Sequence, residues 1–175
     1  MSNWLCVHLR QFHDTTGNRS AVHYSRQNLL KESASSVYSW HMNPDAIKKL
    51  TPHWQPMEVV EYQSVAENSR AIFRTRIFGM PFRWGAEHFD IQTNKQFCDR
   101  QLKGPFKQWV HRHLFIPESE GVCLMRDEVD FCLRGGWLVN YLLKPLVLIQ
   151  VRRLFDYRHA KLSETFGLAK ADLSA

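Results

Sequence analysis

Two histidines separated by one residue, His111 and His113, have the spacing in this sequence that most directly suggests chemistry. They lie in a predicted β-strand over residues 108–116, and alternate side chains of a strand point to the same face. Both imidazoles therefore share a face with Trp109 and Phe115, and these aromatic residues indicate that the face is turned inward. Two buried imidazoles on one strand could orient a ligand, transfer protons or bind a metal ion.

The same alternation places further polar side chains on the inward faces of the neighbouring predicted strands. These rows contain Trp84 and His88 on strand 82–92; Phe97, Asp99 and Gln101 on strand 96–102; and Asp127 and Phe131 on strand 122–133. Buried polar groups are costly unless they are paired, hydrated or used. The rows therefore predict a polar cluster inside an otherwise aromatic interior.

Three explanations of this cluster remain open from the sequence. In the first, the His and Asp side chains only satisfy one another across adjacent strands, with His111 and His113 bonded to Asp99 and Gln101. In the second, they orient a bound molecule inside an apolar cavity. In the third, they catalyse a reaction or bind a metal, with Asp99 or His88 as the third ligand. Two histidines alone make an incomplete metal site, so we expect no metal and no cofactor.

Composition limits the class of protein. The chain has 175 residues, 44% of them hydrophobic, and a formal net charge of +6. This length fits one domain, and the charge is well below the concentrated basic stripe of a nucleic-acid-binding protein. Cysteines are few and form no CxxC pair, which excludes a zinc knuckle and predicts reduced, buried thiols.

The apolar stretches are too short or too interrupted to direct the chain to a membrane. The first residues lack the basic region of a signal peptide. The stretch from Trp137 to Ile149 contains Asn140, Lys144 and Pro145, whereas a spanning helix needs about 20 apolar residues. We therefore expect a soluble cytoplasmic protein without a membrane span.

The order of predicted elements indicates an α+β fold. An extended segment over residues 21–30 precedes two short helices, the second beginning at Pro44. Five or six antiparallel strands fit between Met57 and Cys132. Beyond Pro145, apolar residues recur at spacings of three and four and predict one long helix that ends at Gly167. Such a helix is expected to cover one face of a curved sheet.

Several segments resemble a known superfamily. They read SVYSWHMNPDAIKKLTPHW, PFRWGAEH, QFCDRQLKGPFKQWVHRHLF, MRDEVDF and RRLFDYRH. They are similar to the START-like, birch-pollen-allergen-like superfamily called SRPBCC, and most similar to bacterial cyclase/dehydrase-like members and to the domain fused to epimerases. The resemblance implies a helix-grip fold with an internal ligand cavity over residues 21–167. Residues 1–20 form an N-terminal extension and residues 168–175 a tail, and members are not typically metalloproteins.

The expected function is non-catalytic binding of a small hydrophobic or amphipathic molecule. The expected apolar lining is Trp84, Phe97, Trp109, Phe115, Phe131, Leu154 and Phe155, and the expected polar lining is His88, Asp99, Gln101, His111, His113 and Asp127. One alternative is a polyketide cyclase or dehydratase that uses a cavity His and Asp as base and orienting acid. Another is an interaction module for an epimerase-like partner.

A basic surface on the long helix allows peripheral contact with a membrane. We expect Arg152, Arg153, Arg158, His159 and Lys161 to form its exposed face, where they could contact anionic lipid head groups. Their simpler role is to keep that face solvated. The sequence predicts no oligomeric state.

Overall fold

Seven antiparallel strands form one curved sheet that is packed against a long C-terminal helix. The structure is a computed structural model and describes residues 21–77 and 79–170. Its elements are β1 (Val22–Leu30), α1 (Ala34–Met42), α2 (Pro44–Lys49), β2 (Met57–Tyr62), β3 (Arg70–Ile77), β4 (Met80–Gln92), β5 (Gln96–Lys103), β6 (Phe106–Ser119), β7 (Val122–Leu133) and α3 (Gly136–Phe166). The predicted α+β class and helix-grip fold are confirmed. The N-terminal extension, residues 1–20, lies outside the described residues.

The strand order is β1-β7-β6-β5-β4-β3-β2. Strands β2 to β7 follow one another as hairpins, which confirms the predicted meander. Strand β1 pairs with β7, the last strand in the chain, and Tyr24 lies opposite Val129. The two short helices fill the connection between the two edge strands, β1 and β2.

Side-chain caps fix the starts of the two predicted short helices. The Ser33 hydroxyl accepts a hydrogen bond from the Ser36 amide at the start of α1. The Asn43 side chain accepts one from the Asp45 amide at the start of α2, where Pro44 occupies the first position. Both devices satisfy amide groups that a helix start leaves without partners.

The long helix begins earlier than predicted, since α3 starts at Gly136, before Pro145, and includes that proline. We expected a start beyond Pro145 because an interior proline removes a helical hydrogen bond. The Asn140 side chain fastens the first turn instead, because it bonds both the amide and the carbonyl of Leu133 at the end of β7. The predicted end at Gly167 is confirmed, where a φ of 74° requires glycine.

The chain continues to pair beyond Gly167. The Ala169 amide donates to the Leu29 carbonyl, and Leu168 forms an antiparallel bridge with Leu30. Cys98, Cys123 and Cys132 are buried as expected, while Cys6 lies outside the described residues. None of the helices in the described ranges is long and apolar enough to span a bilayer.

Two apolar clusters form the core. One joins α1, the sheet and the end of α3 around Phe115, Met125 and Leu162. The other joins β1, β6, β7 and the middle of α3 around Phe131 and Phe155. The polar residues described next lie among the side chains of these two clusters.

Candidate functional site

A cavity of about 760 Å³ lies between the sheet and the helices. Strands β3, β4, β5 and β6 form one wall, α1 and α2 close one side, and α3 covers the top. Most of the lining side chains are apolar or aromatic, including Phe73, Trp84, Phe97, Trp109 and Leu154. The volume is in the range of small-molecule binding sites.

Strand register brings the predicted polar residues together at one end of this cavity. Asp99 on β5 lies opposite His111 on β6, and His113 lies opposite Asp127 on β7. Because facing residues of paired strands share a side of the sheet, all four side chains point to the interior. Two strand pairings thus assemble a cluster that is scattered in the sequence.

His111 lies between two carboxylates. Its Nδ1 is 3.2 Å from Asp99 Oδ2, and its Nε2 is 2.9 Å from Asp127 Oδ1. Both ring nitrogens are therefore engaged. This contact confirms the predicted pairing of His111 with Asp99.

Asp127 is surrounded by three imidazoles. Besides His111, His159 of α3 places Nε2 2.8 Å from Asp127 Oδ2 in a buried hydrogen bond. His113 Nδ1 lies 2.9 Å from Asp127 Oδ1, but its direction does not make a hydrogen bond. Asp127 thus connects the sheet to the long helix.

These contacts shift the pKa values of the cluster. Burial alone would raise the pKa of the Asp127 carboxyl, yet His113 and the bonds from His111 and His159 hold it well below its usual range. Burial opposes a lowered pKa in Asp99 as well, and His111 and His113 again lower it. Burial would lower the pKa of His111, but the two carboxylates raise it to about 9. At neutral pH the centre of the cluster is an imidazolium between two carboxylates.

Two other histidines on the cavity wall are held neutral. Burial lowers the pKa of His41 to about 3, helped by the neighbouring His113. Burial also lowers the pKa of His88, whose Nδ1 is 3.0 Å from the Ser69 hydroxyl. His41 Nδ1 is 2.8 Å from the Val37 carbonyl and must donate to it, so its unprotonated Nε2 is an acceptor, buried and without a hydrogen-bond partner among the described residues.

His41 was not among the predicted site residues, and two residues of α3 do not lie where they were expected. Arg158 and His159 were expected on the exposed face, but His159 is 1% exposed and Arg158 lines the cavity with its Nε donating to the Leu50 carbonyl. The spacing of His159 from Val151 and Phe155, four residues at each step, was the available signal. His41 follows Val37 and Tyr38 on the buried face of α1.

The predicted lining residues divide into two groups. On the cavity wall are Trp84, His88, Phe97, Asp99, Trp109, His111, His113 and Leu154. The wall does not include Gln101, Phe115, Asp127, Phe131 or Phe155; all of these except Gln101 are buried behind it.

Gln101 has a local structural role. Its side chain accepts a hydrogen bond from the Phe106 amide and donates one to the Phe106 carbonyl, which closes the β5–β6 turn. The predicted bond from the His111 and His113 pair to Gln101 is therefore wrong, and Asp127 is the second carboxylate that His111 contacts. A glutamine that bonds its own turn gains two backbone partners without a long-range contact, which strand parity does not reveal.

One group of side chains has donor atoms that are close enough together to bind a metal ion. The donor atoms of Asp99, His111 and His113 all lie within 4.8 Å of one another. Among the described residues, these three side chains are the group that could hold a metal ion. Their present contacts compete with a metal, since Asp99 and Asp127 already engage both nitrogens of His111.

Among known proteins, those similar to this chain are found by structure alone. No family model matches the chain, and no curated protein matches it. Among solved structures, the protein TTHA0849 from Thermus thermophilus superposes with a TM-score of 0.65 and 17% identity, covering 81% of this chain and 94% of that one. The Zhui aromatase/cyclase of a Streptomyces species gives a TM-score of 0.66 and 13% identity, with 82% and 93% covered.

A plant enzyme has the same architecture. Norcoclaurine synthase of Thalictrum flavum, solved with a transition-state analogue, gives a TM-score of 0.59 and 10% identity, covering 83% of this chain and 96% of that one. Identities this low show a shared fold and leave the activity of this chain to be argued from its own residues.

Proposed function

We propose that the protein binds a small amphipathic molecule in the cavity between the sheet and α3, without transforming it. One observation carries the proposal: a volume of about 760 Å³ has apolar walls and a polar cluster at one end. A site of this kind gains affinity from burial of the ligand's apolar part, and a few polar groups fix its orientation.

The apolar part of the ligand would contact aromatic rings. Trp84, Phe106 and Trp109 pack against one another edge to face or tilted, with ring centroids 4.9 to 5.8 Å apart. Such rings present a wide flat wall and lose little conformational freedom when a ligand binds.

The polar end favours a ligand that donates a hydrogen bond. The Asp99 side chain is 18% exposed, which makes it the most accessible member of the His/Asp cluster, and its carboxylate can only accept. His41 Nε2 is a second acceptor at this end, because the His41 ring lies 5.9 Å from that of His113. A ligand hydroxyl group can donate its one hydrogen bond to either acceptor, whereas a carboxylate would be repelled by Asp99.

Displacement of an environment-sensitive apolar dye, Nile red, tests this proposal. We expect the dye to bind the purified protein and a fatty alcohol to displace it at lower concentration than the fatty acid of equal chain length. An equal or reversed order would contradict the assignment of the polar end. Native mass spectrometry of protein purified from its own host would then identify the natural ligand.

Matched variants locate the dye. Ala86 lies on the cavity wall, so Ala86→Phe should weaken dye binding by filling the space, while Ala160→Phe on the exposed side of α3 should not. Val147→Trp fills the cavity from the helix side and serves if Ala86→Phe does not fold. Dye binding that is unchanged in both folded cavity variants would place the dye elsewhere and remove the support for a binding cavity.

An enzymatic function is the second candidate, favoured by the contact between Asp99 and His111 at the cavity wall. With a pKa raised to about 9, His111 is protonated at neutral pH and would act as an acid. With a ligand hydroxyl in place of Asp99 at Nδ1, His111 would give its proton to that hydroxyl, which leaves as water, and would then take up the proton lost from the adjacent carbon. One protein of the same fold is an aromatase/cyclase.

The two candidates differ in what happens to the ligand. Mass spectrometry of a ligand before and after incubation would show the loss of one water if the protein is a dehydratase. His111→Gln should abolish that loss and keep dye binding. An unchanged ligand mass supports the binding function.

A further inference from the structure

The first half of α3 carries an exposed row of apolar side chains. Leu138, Tyr141, Leu142, Leu146 and Ile149 are 52% to 75% exposed. Their spacing of three and four residues places them on one side of the helix, over a length of about 17 Å at the usual rise per residue. We call this row the outer face.

The opposite side of the same helix is also apolar. Val139, Val147 and Leu154 line the cavity. A helix that is apolar on both sides is normally covered on both sides. In the part of the chain that the structure describes, the outer face is open to solvent, and so large an apolar patch on a protein surface indicates a binding site.

The charges around the outer face have one sign. From Arg134 to Arg153 the sequence has four cations, Arg134, Lys144, Arg152 and Arg153, and no acidic residue. The acidic residue that follows on α3, Asp156, lies beyond the row and pairs with Arg26. The outer face also ends in positive charge, since the next exposed residues after Ile149 are Arg152 and Arg153. An apolar row flanked by cations complements a surface that is apolar below and anionic above.

The cavity opens beside this face. Met80 and Leu143 line the cavity and are exposed, as are the cavity-lining Arg76, Arg134 and Arg153. Asp99 is the acidic residue among the lining side chains, and it lies at the polar end. The apolar and cationic residues at the opening thus extend the character of the outer face.

We propose that the outer face of α3 docks the protein on an anionic lipid bilayer. Leucine and isoleucine side chains would enter the boundary between head groups and acyl chains, Tyr141 would lie at head-group depth, and the cations would pair with lipid phosphates. The helix would lie along the bilayer surface. The proposal goes beyond the binding function, because docking does not depend on what the cavity holds.

The contact differs from the one that the sequence suggested. That expectation centred on residues 152–161, of which Arg158 lines the cavity and His159 is buried. The structure moves the surface toward the start of the helix and keeps Arg152 and Arg153 at its margin.

Flotation of the ligand-free full chain with vesicles tests the proposal. We expect binding to phosphatidylcholine vesicles that contain about 30% phosphatidylglycerol, and binding at least about tenfold weaker to pure phosphatidylcholine. Leu142→Ser with Leu146→Ser should lower binding to the anionic vesicles about tenfold or more. Val60→Ser, which removes an exposed apolar side chain from β2, is the matched control and should leave binding unchanged.

Either of two results would overturn the docking proposal. Failure of the full chain to bind anionic vesicles would do so, as would equal loss of binding in the Val60→Ser control. Sedimentation velocity tests whether a second copy of the chain covers the outer face instead. A dimer that dissociates in the Leu142→Ser, Leu146→Ser variant would assign the outer face to that second copy. Nile red binding measured on the same variants separates a failure of membrane docking from a failure of ligand binding in the cavity.

Discussion

Asp127 on β7 and His159 on α3 are joined by a buried contact of 2.8 Å between Oδ2 and Nε2. Both side chains are almost fully buried, at 3% and 1% exposure. The contact fixes the long helix against the sheet at the point where Asp127 also receives His111. The cavity roof and the polar cluster therefore share one carboxylate.

Removal of that carboxylate should destabilise the protein strongly. We expect Asp127→Ala to lower the free energy of unfolding by about 3 to 5 kcal/mol, because it leaves the buried positive charge of His111 without its closest partner. Urea unfolding measures the change. The control is Asp130→Ala on the same strand, whose carboxylate is 23% exposed and should cost about 1 kcal/mol. Equal costs for the two variants would contradict the central role of Asp127.

The raised pKa of His111 predicts a pH dependence of stability. A folded-state pKa of about 9, above the ordinary 6.5, means that the native state binds the proton more tightly than the unfolded state. The stabilisation is fully present below pH 6.5 and is lost as the pH rises to about 9. The difference in unfolding free energy between wild type and His111→Gln should therefore fall by about 3 kcal/mol over this interval.

The comparison with His111→Gln is needed because other groups titrate as well. The pKa of His41 is lowered to about 3, so its neutral form stabilises the protein above pH 6.5 and that contribution declines as the pH falls. This effect is present in both proteins and cancels in the difference. A difference that stays constant from pH 6.5 to 9 would show that His111 is not a buried imidazolium.

Packing at the cavity wall should differ from packing behind it. Trp109 lines the cavity, whereas Phe131 is fully buried and lies outside the cavity wall. We expect Phe131→Ala to cost about 3 to 5 kcal/mol and Trp109→Ala to cost considerably less, because solvent or ligand already has access to one side of that ring. Thermal or urea unfolding compares them. A larger cost for Trp109→Ala would indicate a solid core at this position.

The fold was predictable because its signals are local. Alternation marked the strands, and Pro44 marked the start of the second short helix. The start of α3 was not predictable from the same rules, because Asn140 stabilises the first turn through the backbone of another element, Leu133. Proline rules treat a helix as isolated, and here tertiary contacts outweigh them.

Strand parity predicted only part of the candidate site. Strand parity placed Asp99, His111 and His113 on one face of the sheet, but it does not indicate how deeply each side chain is buried. It therefore did not distinguish the cavity wall from Asp127, which lies behind it, or reveal that Gln101 bonds its own turn. Contributions from other elements, such as His41 of α1 and His159 of α3, depend on how helices pack on the sheet.

The last prediction concerns metal binding by Asp99, His111 and His113. Their donor atoms are close enough for a metal, but a metal would have to displace a proton from His111, whose pKa is raised to about 9, and to break its contact with Asp99. We therefore expect zinc to leave the melting temperature unchanged and elemental analysis to find no stoichiometric metal in the purified protein. His111→Ala should instead lower stability by about 1 to 3 kcal/mol with or without zinc, because it leaves buried carboxylate oxygens without a donor. If zinc raised the melting temperature, a chelator reversed the rise and His113→Ala abolished it, the three side chains would form a metal site and the enzymatic candidate would gain support.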